Sequence, residues 1–260
     1  MSASHAMADA VTMVRRNLVH VRYYPTVPLF VAGIPVLFLL LFVYVLGGTL
    51  GAGLGGGRAD YVEYIVPGVL MFAIAGGAQG AAISVATDLA EGIVARFRSM
   101  AISRGAVLTG HVVGNLLQSL AALVLVVAVA LAVGFRPQGS PLRWLAAFGV
   151  LALLALALMW LAVAMGTAAR NVESASNLPA FLMLLPFLGS GFVPAESMSG
   201  PLRWFAEVQP FTHAIETIRA LLLDLPLGGV ALAATLAWSV ALAVGGYVWA
   251  RRIYERRSVR

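Results

Sequence analysis

The sequence predicts an all-α membrane protein with six transmembrane helices. Of its 260 residues, 61% are hydrophobic and only 11% are charged, whereas soluble proteins average about 25% charged residues. The apolar residues also fall into six runs, each long enough for the roughly 20 residues that a helix needs to cross a bilayer core. We expect one membrane domain over residues 26–254, a cytosolic arm at 1–25 and a basic cytosolic tail at 255–260.

The N-terminal arm has the pattern of an amphipathic helix over residues 8–22. Val11, Val14 and Leu18 share one helical face, and the arginines lie largely elsewhere. Such a helix lies along the headgroups of the membrane, where each arginine near anionic lipid contributes roughly 1 kcal/mol. The alternative is a mobile basic tail.

The six apolar runs are the candidate membrane spans. They cover residues 27–48, 62–87, 106–134, 142–168, 174–193 and 228–250. The third and fourth exceed the minimum length, so we expect them to tilt or protrude. Pro179 and Pro186 should bend the fifth. Between the first two spans, the glycine-rich stretch 47–57 predicts a flexible connector.

The distribution of arginine predicts the orientation. All 17 basic residues are arginine, and placing both termini inside puts 12 on the inner side and five on the outer side. Cytoplasmic loops carry the excess of positive charge in membrane proteins. The sequence therefore favours six spans with the N and C termini in the cytoplasm.

The missing residue types exclude several kinds of chemistry. Without lysine the chain cannot carry the GxxxxGK[ST] phosphate-binding loop, so any ATP chemistry must come from another polypeptide. Without cysteine it has no disulfides, thiolate nucleophiles or cysteine-based zinc sites. Its net charge of +6 is spread between apolar runs, so we expect no nucleic-acid partner. We expect no cofactor or metal in this chain and no catalytic activity by itself.

A charged segment at residues 91–104 separates the second and third spans. Its apolar residues recur at helical spacing, which predicts a short cytosolic helix that docks on a partner. The alternative is that its arginines only enforce topology. The residues expected to form this docking segment are Glu91, Gly92, Ile93, Arg96, Phe97, Arg98 and Met100.

Residues 191–227 are too polar to span the membrane, and they are patterned as two short amphipathic helices. The first begins at Ser199-Gly200-Pro201 and the second at Thr212. We expect this pair at the outer leaflet or dipping into it. Glu216 and Arg219 belong either to a solvated helix face or to a gate.

Polar side chains inside the spans are the candidates for a substrate path, because an unsatisfied amide in hydrocarbon costs several kcal/mol. The alternative is that they form hydrogen bonds between helices. Asp88, His111 and Glu173 lie near the cytosolic ends of spans, which disfavours ion-coupled transport. The candidate path residues are Gln79, Ser84, Asn115, Gln118, Asn177 and Ser190.

Two motif blocks resemble a known family. The first is Glu-Gly-x-x-x-Arg-Phe-Arg-Ser-Met at 91–100, and the second runs from Phe192-x-Pro194 through Pro201-Leu202-Arg203-Trp204 to Arg219. Together they resemble the type 2 membrane permeases of ABC (ATP-binding cassette) transporters, above all the daunorubicin-resistance kind of drug exporter. The resemblance covers most of residues 7–254.

The resemblance implies a permease that exports amphipathic drugs or natural products from a bacterial cell, across the plasma membrane. The docking segment would be the coupling helix, which contacts a separate ATPase subunit that binds ATP and Mg. Two ATPase copies and a second permease, identical or homologous, would complete the complex within the lipid membrane. The outer helix pair would close the exit, with Phe192, Trp204, Phe205, Phe211, Glu216 and Arg219 as the gate. Export of lipid or polysaccharide is the alternative within the family.

Two readings outside this function stay open. One is an intramembrane serine hydrolase with Ser190 as nucleophile and His213 as base, although no orienting acid is fixed and the spacing matches no motif. The other is a structural or sensory membrane subunit that transports nothing.

Overall fold

A computed structural model describes residues 26–91 and 104–257, with side chains over 31–91 and 107–256. Within these ranges the chain forms helices and no strand. The predicted amphipathic helix at 8–22 lies outside the described residues, as do residues 92–103 of the docking segment and the last residues of the tail. Their structures stay predictions.

Nine α-helices follow one another in the described chain. They are α1 (Thr26–Leu41), α2 (Gly47–Gly53), α3 (Arg58–Ala90), α4 (Arg104–Ala132), α5 (Pro141–Ala168), α6 (Val172–Ala180), α7 (Gly200–Val208), α8 (Pro210–Leu222) and α9 (Gly229–Arg257). A π-helical turn at Phe42–Leu46 joins α1 to α2, and 3-10 turns lie at Phe181–Leu184 and Ala195–Ser197.

Five helical stretches are long and apolar enough to cross a membrane, and they match five of the six predicted runs. They are Val31–Gly53, Arg58–Ala90, Val107–Ala132, Pro141–Ala168 and Gly229–Arg256. The start predicted for the first short helix agrees with the structure, since α7 begins at Gly200, whereas α8 begins at Pro210, two residues before the predicted Thr212.

The remaining run, the fifth, was predicted as a span over 174–193 and is not one continuous helix. It comprises α6, a 3-10 turn and a series of turns that ends near residue 193. Pro179 ends α6 and Pro186 has no N–H to donate, so an α-helix cannot continue through them without losing hydrogen bonds.

This broken segment nevertheless follows α3 along most of its length. Ala175 packs with Ala86, Gln79 donates to the carbonyl of Ser176 at 2.9 Å, and Tyr61 reaches the carbonyl of Phe192 at 3.4 Å. At 1.5 Å per residue, the distance along α3 from residue 86 to residue 61 is about 37 Å. The segment therefore runs antiparallel to α3 over a length comparable to a bilayer core.

The glycine-rich stretch 47–57, predicted as a flexible connector, is instead helical up to Gly53. A Cβ at Gly51 would collide with the backbone carbonyl of Gly57. Glycine at these positions lets the end of α2 pack tightly against the start of α3. The first apolar helix thus continues through α2 to Gly53.

The centre of the bundle is α3, whose 33 residues extend for about 50 Å. It packs against α1, α4, α5 and α6 and is the most deeply buried of the five long helices. A Cβ at Gly166 of α5 would collide with the backbone of Ala82, so these two helices approach closely through small residues. The last helix, α9, packs on α5 and α8 and is the least buried of the five.

Candidate functional site

Some of the predicted site residues lie at two places near opposite ends of α3, together with residues that were not predicted. The first, called the junction here, consists of Tyr61, Tyr64 and Gly68 of α3, residues 190–192, and Arg219 of α8. The second, called the polar cluster, consists of Ser84, Asp88 and His111. Tyr64 and Asp88 are separated by 24 residues of helix, which is about 36 Å. That separation exceeds the roughly 30 Å of a bilayer core.

At the junction, two backbones lie in direct contact. A Cβ at Gly68 would collide with the carbonyl of Gly191, and a Cβ at Gly189 would collide with side-chain atoms of Gln209 and Thr212. Glycine at these positions lets the turns at 189–191 fit between α3 and the start of α8. Gln209 also donates from Nε2 to the carbonyl of Leu185 at 2.9 Å.

Arg219 joins the three elements of the junction. Its Nη2 donates to the carbonyls of Ser190 at 2.7 Å and Tyr64 at 3.1 Å. The guanidinium also lies 3.9 Å from the centroid of the Tyr64 ring, a cation–π contact. The Tyr64 hydroxyl donates to the same Ser190 carbonyl at 2.9 Å. The Ser190 carbonyl lies in a turn where the helix is interrupted, and its hydrogen bonds come from side chains of α3 and α8.

Glu216 lies one turn before Arg219 on α8 and keeps an exposed side. Partial desolvation raises the pKa of Glu216, while the charges of Arg219 and His213 oppose that shift. Burial lowers the pKa of Arg219, but a guanidinium keeps its proton in proteins. The junction therefore holds a permanent cation beside a carboxyl whose proton is bound more tightly than usual.

Five phenylalanines form a cluster next to the junction. Phe187 and Phe192 of the broken segment stack with ring centroids 4.1 Å apart. Phe42 lies 4.9 Å from Phe192, and Phe72 of α3 lies 5.5 Å from Phe187. Phe38 of α1 completes the set, 5.0 Å from Phe72. The first apolar helix is thereby packed onto the same segment that Arg219 holds.

The residues predicted as a gate divide into two groups. Phe192 and Phe211 are buried in the hydrophobic core, and Arg219 lies in the junction with Glu216 beside it. Trp204 and Phe205 are exposed on α7, with 67% and 37% of their surface accessible. The two exposed aromatic residues are not part of the junction.

At the other end of α3, the polar cluster joins α3 to α4. Asp88 Oδ2 lies 3.2 Å from His111 Nε2, and Ser84 Oγ lies 3.3 Å from His111 Nδ1. Asp88 and His111 are 8% and 3% exposed, so both are buried among apolar helices. The imidazole thus bridges a hydroxyl and a carboxylate on the neighbouring helix.

The other predicted path residues are spread along the bundle. Gln79 is bonded to the carbonyl of Ser176, and Asn115 donates to the carbonyl of His111 at 2.8 Å. Gln118 has a buried amide nitrogen without a hydrogen-bond partner in the described chain, whereas Asn177 is exposed. The Gln79 bond joins α3 to α6, as expected of polar groups that connect helices, whereas the Asn115 bond lies within α4. A path along these residues stays a prediction.

Several residues of both sites were not predicted. Tyr61, Tyr64 and Gly68 lie in an unremarkable apolar run, and no local pattern indicates that they meet residues more than 120 positions away. Asp88 and His111 were predicted only as polar residues near the cytosolic ends of two spans. An acid and a base at the facing ends of consecutive spans were the sequence signal that could have paired them.

A serine hydrolase finds little support in this geometry. Among the described contacts, no hydrogen bond joins Ser190 to His213, and the Ser190 amide instead donates to the Thr212 hydroxyl at 3.4 Å. Ser84 does contact a histidine, but it lies inside α3, where the backbone amides bond within the helix.

Comparison with known proteins agrees with this architecture. The family model described as ABC-2 type transporter matches residues 9–223. The chain is 27% identical over 219 residues to the daunorubicin resistance ABC transporter permease protein DrrB1 of Streptomyces coeruleorubidus, covering 84% of this chain and 76% of that protein. It is 26% identical over 202 residues to the probable doxorubicin resistance ABC transporter permease protein DrrC of Mycobacterium tuberculosis, covering 75% and 69%. The chain therefore belongs to the ABC-2 type transporter family, as a multi-pass membrane permease.

Proposed function

We propose that this chain is the membrane permease of an ATP-driven exporter that moves amphipathic drugs or natural products out of a bacterial cell. A separate ATPase subunit, binding ATP and Mg, supplies the energy. The complex contains two ATPase copies and two permeases. The chain itself hydrolyses nothing.

The observation that carries the proposal is the family match, which includes both motif blocks, in a chain without lysine. Active export needs a source of energy, and this sequence cannot bind ATP through a phosphate-binding loop. The two relatives named for daunorubicin and doxorubicin resistance support an amphipathic drug as cargo.

The topology we propose has six crossings with both termini in the cytoplasm. The arginine-rich ends of the chain cannot both be inside with five crossings, because an odd number places them on opposite sides. The broken segment after α5 runs back along α3, which supports its being the additional crossing. Consistent with this, Arg143 at the start of α5 lies 3.0 Å from Asp224 after α8.

The junction is the part that we propose to act as the outer gate. It fixes the broken segment to α3 and α8 through few bonds, which centre on Arg219. The first apolar helix is packed onto the same segment through the phenylalanine cluster. A movement of α3 would therefore also displace the broken segment, α8 and the first apolar helix.

The docking segment provides the first test. We propose that Ile93, Phe97 and Met100 fill a groove on the ATPase while Arg96 and Arg98 pair with its acids. Phe97→Ala and Arg96→Glu should abolish permease-stimulated ATP hydrolysis in the purified complex, with normal expression of the chain. Unchanged stimulation in both variants would contradict docking through this segment. Transport of lipid or polysaccharide in place of a drug by the wild-type complex would favour the alternative cargo.

A further inference from the structure

Among the contacts between acidic and basic side chains in the described chain, the one between Asp88 and His111 has an unusual position. Arg203–Glu207 and Arg251–Glu255 each lie within one turn of a helix and are exposed. Arg143–Asp224 is also partly exposed. Asp88 and His111 are buried and belong to two different membrane helices, α3 and α4.

A buried carboxylate is costly among apolar helices unless a partner holds it. A neutral His111 can stabilise the Asp88 carboxylate by donating a hydrogen bond to it. If the proton of the imidazole is on Nε2, that nitrogen donates to Asp88 and the free Nδ1 accepts from the Ser84 hydroxyl. This tautomer is assigned from the contacts. It satisfies both ring nitrogens, so the three residues form one continuous chain of hydrogen bonds from α3 to α4 and back.

The same two helices are in close contact further along. A Cβ at Gly77 would lie 2.9 Å from Ser119 Oγ, so α3 and α4 approach closely there as well. Residues 77 and 84 of α3 face residues 119 and 111 of α4, which makes the helices antiparallel neighbours. The polar cluster lies near the end of α3 at Ala90 and near the start of α4 at Arg104.

We propose that Ser84, Asp88 and His111 are positioning residues that make α3 and α4 move as one unit. The inference rests on the proposed function, because the chain between these helices contains the proposed docking segment. Force applied to that segment would reach both helices together. It would then pass along α3 to the junction, about 36 Å away. Without the cluster, ATP hydrolysis would continue but drive less transport.

The first test measures drug transported per ATP hydrolysed by the whole complex in proteoliposomes. Asp88→Asn and His111→Ala should lower this ratio about tenfold, within the range of typical coupling energies, with hydrolysis changed less than about twofold. The exchange Asp88→His with His111→Asp should restore much of the ratio. Glu173→Gln is the matched control, because Glu173 is an exposed carboxylate at the start of α6, and it should leave the ratio unchanged.

A purely structural role would lower folded yield, transport and hydrolysis together at an unchanged ratio, and that result would overturn the inference. So would a normal ratio in both single variants. A wild-type complex that transports no drug would instead contradict the proposed function.

A second measurement tests the cluster without transport. The chain has no cysteine, so Ala90→Cys with Leu117→Cys gives two exposed sites for spin labels on α3 and α4. We expect a narrow distance distribution in the purified chain and a broad one when Asp88→Asn is added. Equal widths in the two proteins would overturn the inference whatever the cargo.

Discussion

At the scale of single residues, the junction depends on Arg219. The carbonyl of Ser190 lies in a turn outside the helices. The Arg219 guanidinium and the Tyr64 hydroxyl both donate to it. Hydrogen bonds from a charged donor contribute about 1.5–3 kcal/mol each. A rigid planar guanidinium can bond two carbonyls and stack on a ring at once, which an ammonium cannot do. Arg219 is therefore the single side chain whose loss should release the broken segment.

Arg219→Ala should lower the free energy of unfolding by about 2 kcal/mol, less than the sum of two charged hydrogen bonds, because the Ser190 carbonyl keeps its bond from the Tyr64 hydroxyl. Arg219→Lys should recover only part of this loss, because lysine lacks the planar fork. Thermal unfolding of the purified chain measures both. Arg203→Ala is the matched control: Arg203 is exposed on α7 and pairs with Glu207 within one helical turn, so its removal should leave stability nearly unchanged. Equal effects at 203 and 219 would contradict the role given to Arg219.

Glu216 makes the stability of the junction depend on pH. Partial desolvation raises its pKa above the ordinary value, so the folded chain binds this proton more tightly than the unfolded chain. The contribution is thus present at low pH and is lost as pH rises from about 4.3, the unfolded value, through the raised one. Glu216→Gln should flatten this part of the stability profile, measured as unfolding temperature against pH. A profile of unchanged slope would show that another group titrates there.

At the scale of elements, α3 is the helix to which both sites belong. Its contacts with α5 and with the broken segment occur at Gly166 and Gly191, where backbones touch without intervening side chains. Close packing of this kind makes a rigid contact, because any added atom must displace backbone. A long rigid helix with one site near each end is suited to transmit a movement across the membrane.

Gly68→Ala tests the contact between α3 and the broken segment. The added methyl group would collide with the Gly191 carbonyl, so we expect a loss of about 1–3 kcal/mol in stability, the usual cost of overpacking. Gly80→Ala is the control in the same helix, because a Cβ there meets nothing within 4 Å. It should be neutral or stabilising, since alanine favours the helix. Unfolding of the two variants in denaturant compares them directly, and equal stability would contradict the contact.

Much of the element-level structure could be predicted from hydropathy, because a helix that crosses lipid must be long and apolar throughout. Five of the six runs are such helices. The broken segment was predicted as a span bent at Pro179 and Pro186, because its composition is apolar. The interruption of the helix and the contacts of Gly189 and Gly191, which decide its path, were not predicted. The junction was beyond prediction for a related reason. Arg219 bonds to backbone carbonyls, and a carbonyl acceptor leaves no trace in the sequence.

At the scale of the whole molecule, the proposed orientation rests on the asymmetry of arginine. Placing both termini inside puts 12 of the 17 arginines on the cytoplasmic side. In this proposed orientation the junction lies at the outer end of α3 and the polar cluster at its inner end, where the chain continues into the proposed docking segment. In this arrangement the proposed gate and the proposed ATPase-binding segment lie on opposite sides of the membrane.

Single cysteines test this orientation, because the chain has none of its own. Ser99→Cys should be protected from a membrane-impermeant maleimide in intact cells and labelled after permeabilisation. Ser199→Cys, at the N-cap of α7 and exposed, should be labelled in intact cells. The reverse pattern would invert the topology, and labelling of both positions from one side would contradict six crossings.

The most direct test of the central claim compares the purified chain in proteoliposomes with and without its ATPase subunit, measuring ATP hydrolysis and daunorubicin transport together. We predict that the chain alone does neither, and that both appear when the ATPase and Mg-ATP are added. Hydrolysis of ATP by the chain alone, or transport that does not depend on the ATPase, would contradict the claim that a separate ATPase subunit drives this permease.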